Sequence, residues 1–202
     1  MGVDVLVKDE SQRSVLGSFK ALGAPIALVR LILRQFPAQR FEACGLLAGE
    51  YRSALADFTV ISATDGNHGR ALAAAAQSVG CRCVIVLHAD VSIEREAAIA
   101  AYGAEIVRIS GHYDESVVVA AALAAKNGWL VVSDTSYDGY EEIPRDVMQS
   151  YGTISAAIVD ASSQRVTHVF LQGGIGGMEA RIASSVERCV ATKISAAATQ
   201  PT

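Results

Sequence analysis

Several features that mark particular protein classes are absent from this 202-residue sequence. No apolar run approaches the roughly 20 residues that a transmembrane helix needs, and the polar start MGVDVLVKDESQR lacks the apolar core of a secretory signal. The 17 Lys plus Arg and 21 Asp plus Glu residues form no long run of either sign, and the net charge of -4 disfavours nucleic acid as a partner. We therefore expect a cytoplasmic protein that binds neither membranes nor nucleic acid.

Cysteine, proline and aromatic residues are also scarce. The four cysteines, Cys44, Cys81, Cys83 and Cys189, show no CxxC spacing and no nearby histidine cluster, which disfavours a disulfide framework and a metal site. Only 4 prolines stand against 17 glycines, a ratio that indicates regular elements joined by tight turns. Because 51% of the residues are hydrophobic, the chain can bury a substantial core, and intrinsic disorder is excluded.

Short β-branched apolar runs alternate with alanine-rich stretches of helical length from about residue 58 onward. This alternation is typical of βαβ units and predicts an α/β fold, in which a parallel sheet lies between layers of flanking helices. The predicted strands lie at 58–62, 83–88, 105–110, 129–134 and 167–174, with a further short strand around 3–7. Besides the helices that join these strands, the apolar pattern predicts helices at 25–36, 144–161 and 177–194.

The segment SFKALG contains the first side chain suited to chemistry. Lys20 stands near Gly17 and Gly23, just before a predicted helix and in a largely apolar setting. Desolvation in such a setting lowers the pKa of an amine and makes it nucleophilic. An ordinary solvated lysine fits the same sequence, so Lys20 alone does not identify a site.

The segment ATDGNHGR at 63–70 lies between a predicted strand and a predicted helix. Ligands of parallel α/β sheets bind at this kind of position. Asn67 offers both a hydrogen-bond donor and an acceptor there. Asp65, Gly66 and Asn67 equally suit a plain turn that caps the helix, so both interpretations stay open.

The segment QGGIGGM at 172–178 places four glycines between a strand and a helix: Gly173, Gly174, Gly176 and Gly177. Backbone N–H groups in such a loop, together with the helix N-terminus, can hold a phosphate. The loop lacks the GK[ST] ending of a Walker A motif, and its glycine spacing is not GxGxxG. The pattern therefore predicts a phosphate loop of another kind.

Taken in this order, the three segments resemble those of pyridoxal phosphate enzymes of the tryptophan synthase β type, fold type II. Within that superfamily the chain most closely resembles the diaminopropionate ammonia-lyase family, in the segments ATDGNHGR, DTSYDGYEEIP, QSYGTI and FLQGGIGGM. The resemblance implies pyridoxal 5'-phosphate as cofactor, and the conversion of 2,3-diaminopropionate to pyruvate and ammonia. Serine and threonine dehydratases share the same lysine, asparagine and glycine pattern, so a dehydratase-like deaminase stays an alternative.

The resemblance also implies roles for single residues. Lys20 would hold the cofactor covalently, Asn67 would bind the 3-oxygen of its ring, and the four loop glycines would hold its phosphate. Lys20 and Asp65 are the candidate bases, one on each face of the cofactor, because the family is said to accept both enantiomers. Asp134 is the candidate for binding the β-ammonium group of the substrate. Without the resemblance, Asp65 and Asp134 would be interpreted as turn or capping residues.

Members of that family are longer, with further sequence before the lysine segment and after the glycine loop. We therefore expect 1–57 and 166–202 to form an incomplete large domain, and 58–165 to form a small α/β domain. Exposed apolar faces and unpaired strand edges on the incomplete domain would favour a homodimer or another homo-oligomer. The alternative to a lyase is a noncatalytic module that retains part of the cofactor site.

Overall fold

The computed structural model describes residues 4–161, 167–189 and 193–198. Its helices are α1 (Lys20–Gln35), α2 (Ala43–Ala48), α3 (Arg52–Leu55), α4 (Asn67–Val79), α5 (Ile93–Ala100), α6 (Tyr113–Asn127), α7 (Glu142–Ser150), α8 (Gly152–Ala161) and α9 (Gly177–Cys189). Its strands are β1 (Thr59–Ala63), β2 (Arg82–Leu87), β3 (Glu105–Arg108), β4 (Leu130–Val131), β5 (His168–Gly173) and β6 (Lys193–Ala198).

A parallel sheet formed by β1 to β4, in the order β3-β2-β1-β4, is the centre of the fold. Alternate residues of β1 point to opposite faces of this sheet. Val60 is buried in the core that includes α1 and α4, whereas Ile61 is buried in a second core with Ala120 and Ala124 of α6. Helices therefore cover both faces, which confirms the predicted α/β fold with flanking helical layers.

Helix α1 buries one face, and this burial fixes its place in the molecule. Its buried side chains recur at helical spacing: Ala24, Ala27, Leu28, Leu31 and Ile32. The helix packs against α4 and α7, and the facing part of α4 is rich in buried alanine. Small side chains allow close packing of the two helices, so the position of the α1 N-terminus follows from the core.

The strands β5 and β6 form a second, two-stranded parallel sheet. Helix α9 contacts both strands and also packs against α7 and α8. The division into a large and a small domain, at 57/58 and 165/166, stays a prediction. Among the described residues, no helix has the length and apolar character needed to cross a bilayer.

Several predicted boundaries were wrong. The described part of the predicted first strand, residues 4–7, is not a strand, and Val5, Leu6 and Val7 are exposed. A short run of apolar residues does not form a strand where no neighbouring strand pairs with it. The strand predicted at 129–134 is limited to Leu130–Val131, because only these residues pair with β1.

The predicted helices also differ from the observed ones. The helix expected at 25–36 begins earlier, at Lys20, and the helix expected at 144–161 is two helices that meet at Tyr151. The helix expected at 177–194 ends at Cys189, since Lys193 pairs with His168 of β5 as the start of a strand. That pairing joins distant parts of the chain and leaves no local signal in the sequence.

Candidate active site

Lys20 is the first residue of α1, and the backbone before it is fixed by two hydrogen bonds. Its own N–H donates to Ser18 Oγ at 3.1 Å. Arg70 of α4 donates from Nη1 to the carbonyl oxygen of Leu16 at 3.2 Å. The Lys20 Nζ atom lies 5.1 Å from the centre of the Phe19 ring, within range of a cation–π contact.

Asp134 lies just after β4 and faces Lys20. Its Oδ2 atom is 2.5 Å from Lys20 Nζ and 3.6 Å from Nδ1 of His68, whose Nε2 donates to the carbonyl oxygen of Val132 at 2.9 Å. Burial raises the pKa of Asp134, but His68 and Lys20 outweigh it, and the pKa lies below its usual range. Asp134 is therefore an ionised, largely buried carboxylate that binds an ammonium group. Lys20 is thus ion-paired, in contrast to the largely apolar setting that the sequence suggested.

The backbone around Asp134 is held by Tyr140. The Tyr140 hydroxyl accepts a hydrogen bond from the Ser133 N–H at 2.8 Å and donates to the carbonyl oxygen of Val131 at 3.0 Å. Its ring stacks on Tyr137, with 4.9 Å between ring centres. These contacts fix the end of β4, so the carboxylate of Asp134 is positioned before any ligand binds.

The loop between β1 and α4 is organised around Thr64. Its Oγ1 accepts hydrogen bonds from the N–H groups of Gly66 and Gly69, both at 3.1 Å. A Cβ atom at Gly69 would lie 2.4 Å from Thr64 Cγ2, so only glycine fits there. Asn67 is the first residue of α4 and its side chain is exposed. The helix N-cap is Gly66, without a side-chain cap, so the turn considered for Asp65, Gly66 and Asn67 does contain the N-cap, and the capping residue is the glycine.

Asp65 makes a set of contacts separate from those of the Lys20–Asp134 pair. Its Oδ1 atom lies 2.9 Å from Nε2 of His88, and Arg95 donates from Nη1 to its backbone oxygen at 3.3 Å. About two-thirds of the Asp65 side chain, 67%, is exposed. Asp65 is thus an accessible carboxylate that a histidine orients.

The glycine loop connects β5 to α9. Gly176 has a φ of +84°, and α9 begins at the next residue. A Cβ atom at Gly174 or Gly176 would meet no other atom within 4 Å, so the loop backbone is open to close approach. The Gly174 N–H donates to Oε1 of Glu179 at 2.8 Å. A carboxylate of this chain therefore binds an amide in the loop where the sequence predicts a phosphate.

One cavity of about 200 Å³ brings five of the predicted residues together. It is lined by Lys20, Asp134, Gly173, Gly174 and Gly177, and also by Phe19, Pro144, Val147, Met148, Tyr151, Gln172, Ile175, Met178 and Glu179. Asp65, Asn67 and Gly176 are not among its lining residues. The structure thus joins the lysine segment to the glycine loop, and it leaves the asparagine loop outside this cavity.

Two polar cavity residues, Tyr151 and Glu179, were not selected from the sequence. Tyr151 lies in the QSYGTI segment, which supported the family resemblance without a role for the tyrosine. Glu179 is in the first turn of α9, a position at which glutamate side chains commonly cap a helix N-terminus. The position of Glu179 just after the glycine loop, in the first turn of a predicted helix, was the signal available in the sequence. The position of the Tyr151 hydroxyl required the tertiary structure.

Comparisons with known proteins show which family the chain resembles in sequence and in fold. The family described as pyridoxal-phosphate dependent enzyme matches residues 1–201. Diaminopropionate ammonia-lyase of Escherichia coli strain K12 is 36% identical over 178 residues, which are 86% of this chain and 44% of that protein. The protein of the same name from Salmonella typhimurium strain LT2 is 34% identical over 176 residues, 84% of this chain and 44% of that protein.

A solved structure is similar in fold as well as in sequence. The crystal structure of Escherichia coli diaminopropionate ammonia lyase in apo form superposes with a TM-score of 0.81 at 32% identity. The match covers 94% of this chain and 53% of that chain. The chain spans less than half the length of the curated relatives named above.

Proposed function

The chain belongs to the family of pyridoxal-phosphate dependent enzymes, and we propose that it binds pyridoxal 5'-phosphate and releases ammonia from 2,3-diaminopropionate. The observation that carries this proposal is one cavity lined by the Lys20–Asp134 ion pair and the glycine loop. A lysine amine and a phosphate-binding loop are the two groups that this cofactor requires at opposite ends. Relatives named for this reaction align with most of the chain.

The residues that line the cavity fit the cofactor. The open space beside Gly174 and Gly176 permits a phosphate to approach the loop backbone at the N-terminus of α9. We propose that Gly173, Gly174, Gly176 and Gly177 hold the phosphate, that Lys20 holds the aldehyde end, and that Asn67 binds the 3-oxygen of the ring. Glu179 must turn away from the Gly174 N–H for that amide to bind phosphate.

The bound cofactor supplies an electron sink that makes the α-proton of an amino acid acidic. The chain must then supply bases for that proton and a site for the leaving amine. Lys20 is the proposed base on its own face of the cofactor. Asp65 is the proposed base on the opposite face, and His88 orients its exposed carboxylate.

Asp134 is proposed to bind the β-ammonium group of the substrate. In the free protein its carboxylate binds the Lys20 ammonium at 2.5 Å. When the Lys20 nitrogen is engaged by the cofactor, the same carboxylate is available to a second ammonium group. In the free protein the charges of His68 and Lys20 lower the pKa of Asp134 and keep the carboxylate ionised, and the ammonium group of the substrate would take the place of the Lys20 charge. One acidic side chain thus serves two cations in turn.

The decisive experiment is cofactor trapping on the purified chain. Incubation with pyridoxal phosphate and borohydride, followed by mass mapping, should place the modification on Lys20, and Lys20→Ala should lose it. Lys126, an exposed lysine at the end of α6, provides the control variant Lys126→Ala, which should keep it. Modification spread over surface lysines in both variants would contradict the proposal.

Turnover then separates the candidate functions. Ammonia and pyruvate from both enantiomers of diaminopropionate, with none from serine or threonine, would support the proposed substrate. Release from serine instead would favour the dehydratase-like alternative. Trapping at Lys20 without any turnover would favour the noncatalytic module. We further propose that the protein is a cytoplasmic homodimer. Size-exclusion chromatography with light scattering tests the oligomeric state.

A further inference from the structure

Tyr151 is the one tyrosine among the described residues whose buried hydroxyl has no hydrogen-bond partner. Its side chain is 2% exposed and lies where α7 ends and α8 begins. The ring packs edge-on against Phe19, with 5.2 Å between ring centres. A Cβ atom at Gly23 would lie 2.9 Å from the hydroxyl oxygen, so α1 approaches Tyr151 closely because residue 23 is glycine. The residue is therefore held firmly by apolar packing.

Tyr151 borders a cavity that a ligand can occupy. Tyr151 lines the cavity together with Lys20 and the glycine loop. Burial raises the pKa of Tyr151, and the charges of Asp134 and Glu179 raise it further, so the phenol stays protonated at neutral pH. A buried, protonated hydroxyl without a partner in the chain is a donor that a ligand can satisfy. Asp134 and Glu179 bring negative charge to this part of the cavity, and Lys20 is the cation among its lining residues.

The backbone next to Tyr151 connects it to the glycine loop. A Cβ atom at Gly152 would lie 2.7 Å from Nη2 of Arg181 in α9, the helix that begins at Gly177. Helices α8 and α9 are thus packed directly on each other, with Tyr151 at the end near α1. Tyr151 therefore lies between the lysine segment, which contacts its ring and hydroxyl through Phe19 and Gly23, and the helix that follows the loop.

We propose that the Tyr151 hydroxyl donates a hydrogen bond to a phosphate oxygen of the cofactor bound in this cavity. Phosphate oxygens are strong acceptors, and a hydrogen bond to a charged acceptor is stronger than one between neutral groups. Tyr151 would supplement the backbone amides of the glycine loop, one of which Glu179 binds in the free protein. This inference rests on the proposed function, since it requires that pyridoxal phosphate occupies the cavity.

The test compares Tyr151→Phe with wild type and with Tyr102→Phe, a tyrosine packed at a separate cavity with Cys81 and Cys83. Affinity is measured by fluorescence titration with two probes, pyridoxal phosphate and pyridoxal, which lacks the phosphate. Tyr151→Phe should bind pyridoxal phosphate about tenfold more weakly and should bind pyridoxal as wild type does. Tyr102→Phe should match wild type with both probes.

Thermal unfolding of the free protein provides a second readout, in which Tyr151→Phe should lose nothing although it binds the cofactor more weakly. Tyr151→Phe removes a buried hydroxyl that no residue satisfies, so its melting temperature should equal or exceed that of wild type. Equal loss of affinity for both probes, unchanged affinity for pyridoxal phosphate, or a clearly lower melting temperature would each overturn the inference. If wild type itself binds no pyridoxal phosphate, the proposed function fails and the inference fails with it. If wild type binds pyridoxal phosphate and Tyr151→Phe binds it equally well, the inference alone fails.

Discussion

The Nζ atom of Lys20 lies 2.5 Å from Oδ2 of Asp134, although 114 positions separate the two residues in the chain. Lys20 begins α1, and Asp134 follows the short strand β4. The ion pair closes one wall of the cavity that the glycine loop also lines. The pair therefore links the stability of the free protein to the chemistry of its site.

Removing the acidic partner should destabilise the free protein. Asp134→Asn leaves the partly buried Lys20 ammonium without its counter-charge, so the free energy of unfolding should fall by about 2 kcal/mol. Urea unfolding measures this change. Asp138→Asn alters an exposed aspartate in the same segment and should change stability by less than about 0.5 kcal/mol. Equal stability of the two variants would show that the ion pair contributes little.

The same pair predicts a pH dependence. The folded-state pKa of Asp134 is lowered from 3.8. The contribution of its carboxylate to the free energy of unfolding is therefore complete above pH 3.8 and is lost as the pH falls through the folded-state pKa. The stability difference between wild type and Asp134→Asn should therefore be constant near neutral pH and should shrink below about pH 4. Urea unfolding of both proteins over a pH series measures it. A difference that grows on acidification would contradict this assignment.

Glu179 should weaken phosphate binding through its charge. In Glu179→Gln the amide oxygen can still accept from the Gly174 N–H, while the negative charge beside the phosphate site is removed. Affinity for pyridoxal phosphate should rise several-fold, and the gain should decrease at high salt because ions screen the repulsion. Titration at two ionic strengths tests this, with the surface variant Glu141→Gln as control. Weaker binding by Glu179→Gln would mean that its carboxylate supports the site.

Two glycine-to-alanine changes should separate folding from binding. At Gly174 a methyl group enters open space, so stability should be retained while the bulk obstructs the phosphate and weakens cofactor binding. At Gly69 the methyl group meets Thr64 Cγ2 at 2.4 Å, so the free energy of unfolding should fall by about 1–3 kcal/mol. Denaturant unfolding and cofactor titration of both variants check this pattern. Loss of stability at Gly174 would indicate that its loop belongs to the core.

Asp65 should affect the two substrate enantiomers unequally. If Asp65 removes the α-proton on the face opposite Lys20, Asp65→Asn should reduce turnover of one enantiomer by at least about tenfold and spare cofactor binding. Ammonia release from each enantiomer measures the effect. Asp90→Asn, at an exposed carboxylate on the other side of His88, is the matched control. An equal loss on both enantiomers would rule out a face-specific base.

Much of the fold follows from local sequence patterns. The alternation of β-branched and alanine-rich segments predicts β1, β2 and β3 and the helices between them, because the periods of strands and helices differ. Gly80 and Gly128 end α4 and α6 with positive φ values, as glycine at these positions allows. The order of a lysine, an asparagine loop and a glycine loop likewise indicates the family before any contact is known.

Tertiary structure decided what the local patterns do not encode. The sequence by itself determined the α/β class and the candidate residues, since periodicity and motif order are properties of neighbouring positions. Only the packing of α1 on α4 and α7 brought Lys20 to Asp134. The close approach of α1 likewise left the buried hydroxyl of Tyr151 without a partner. Such distances depend on how the whole core closes, and residues far apart in the chain carry no local record of them.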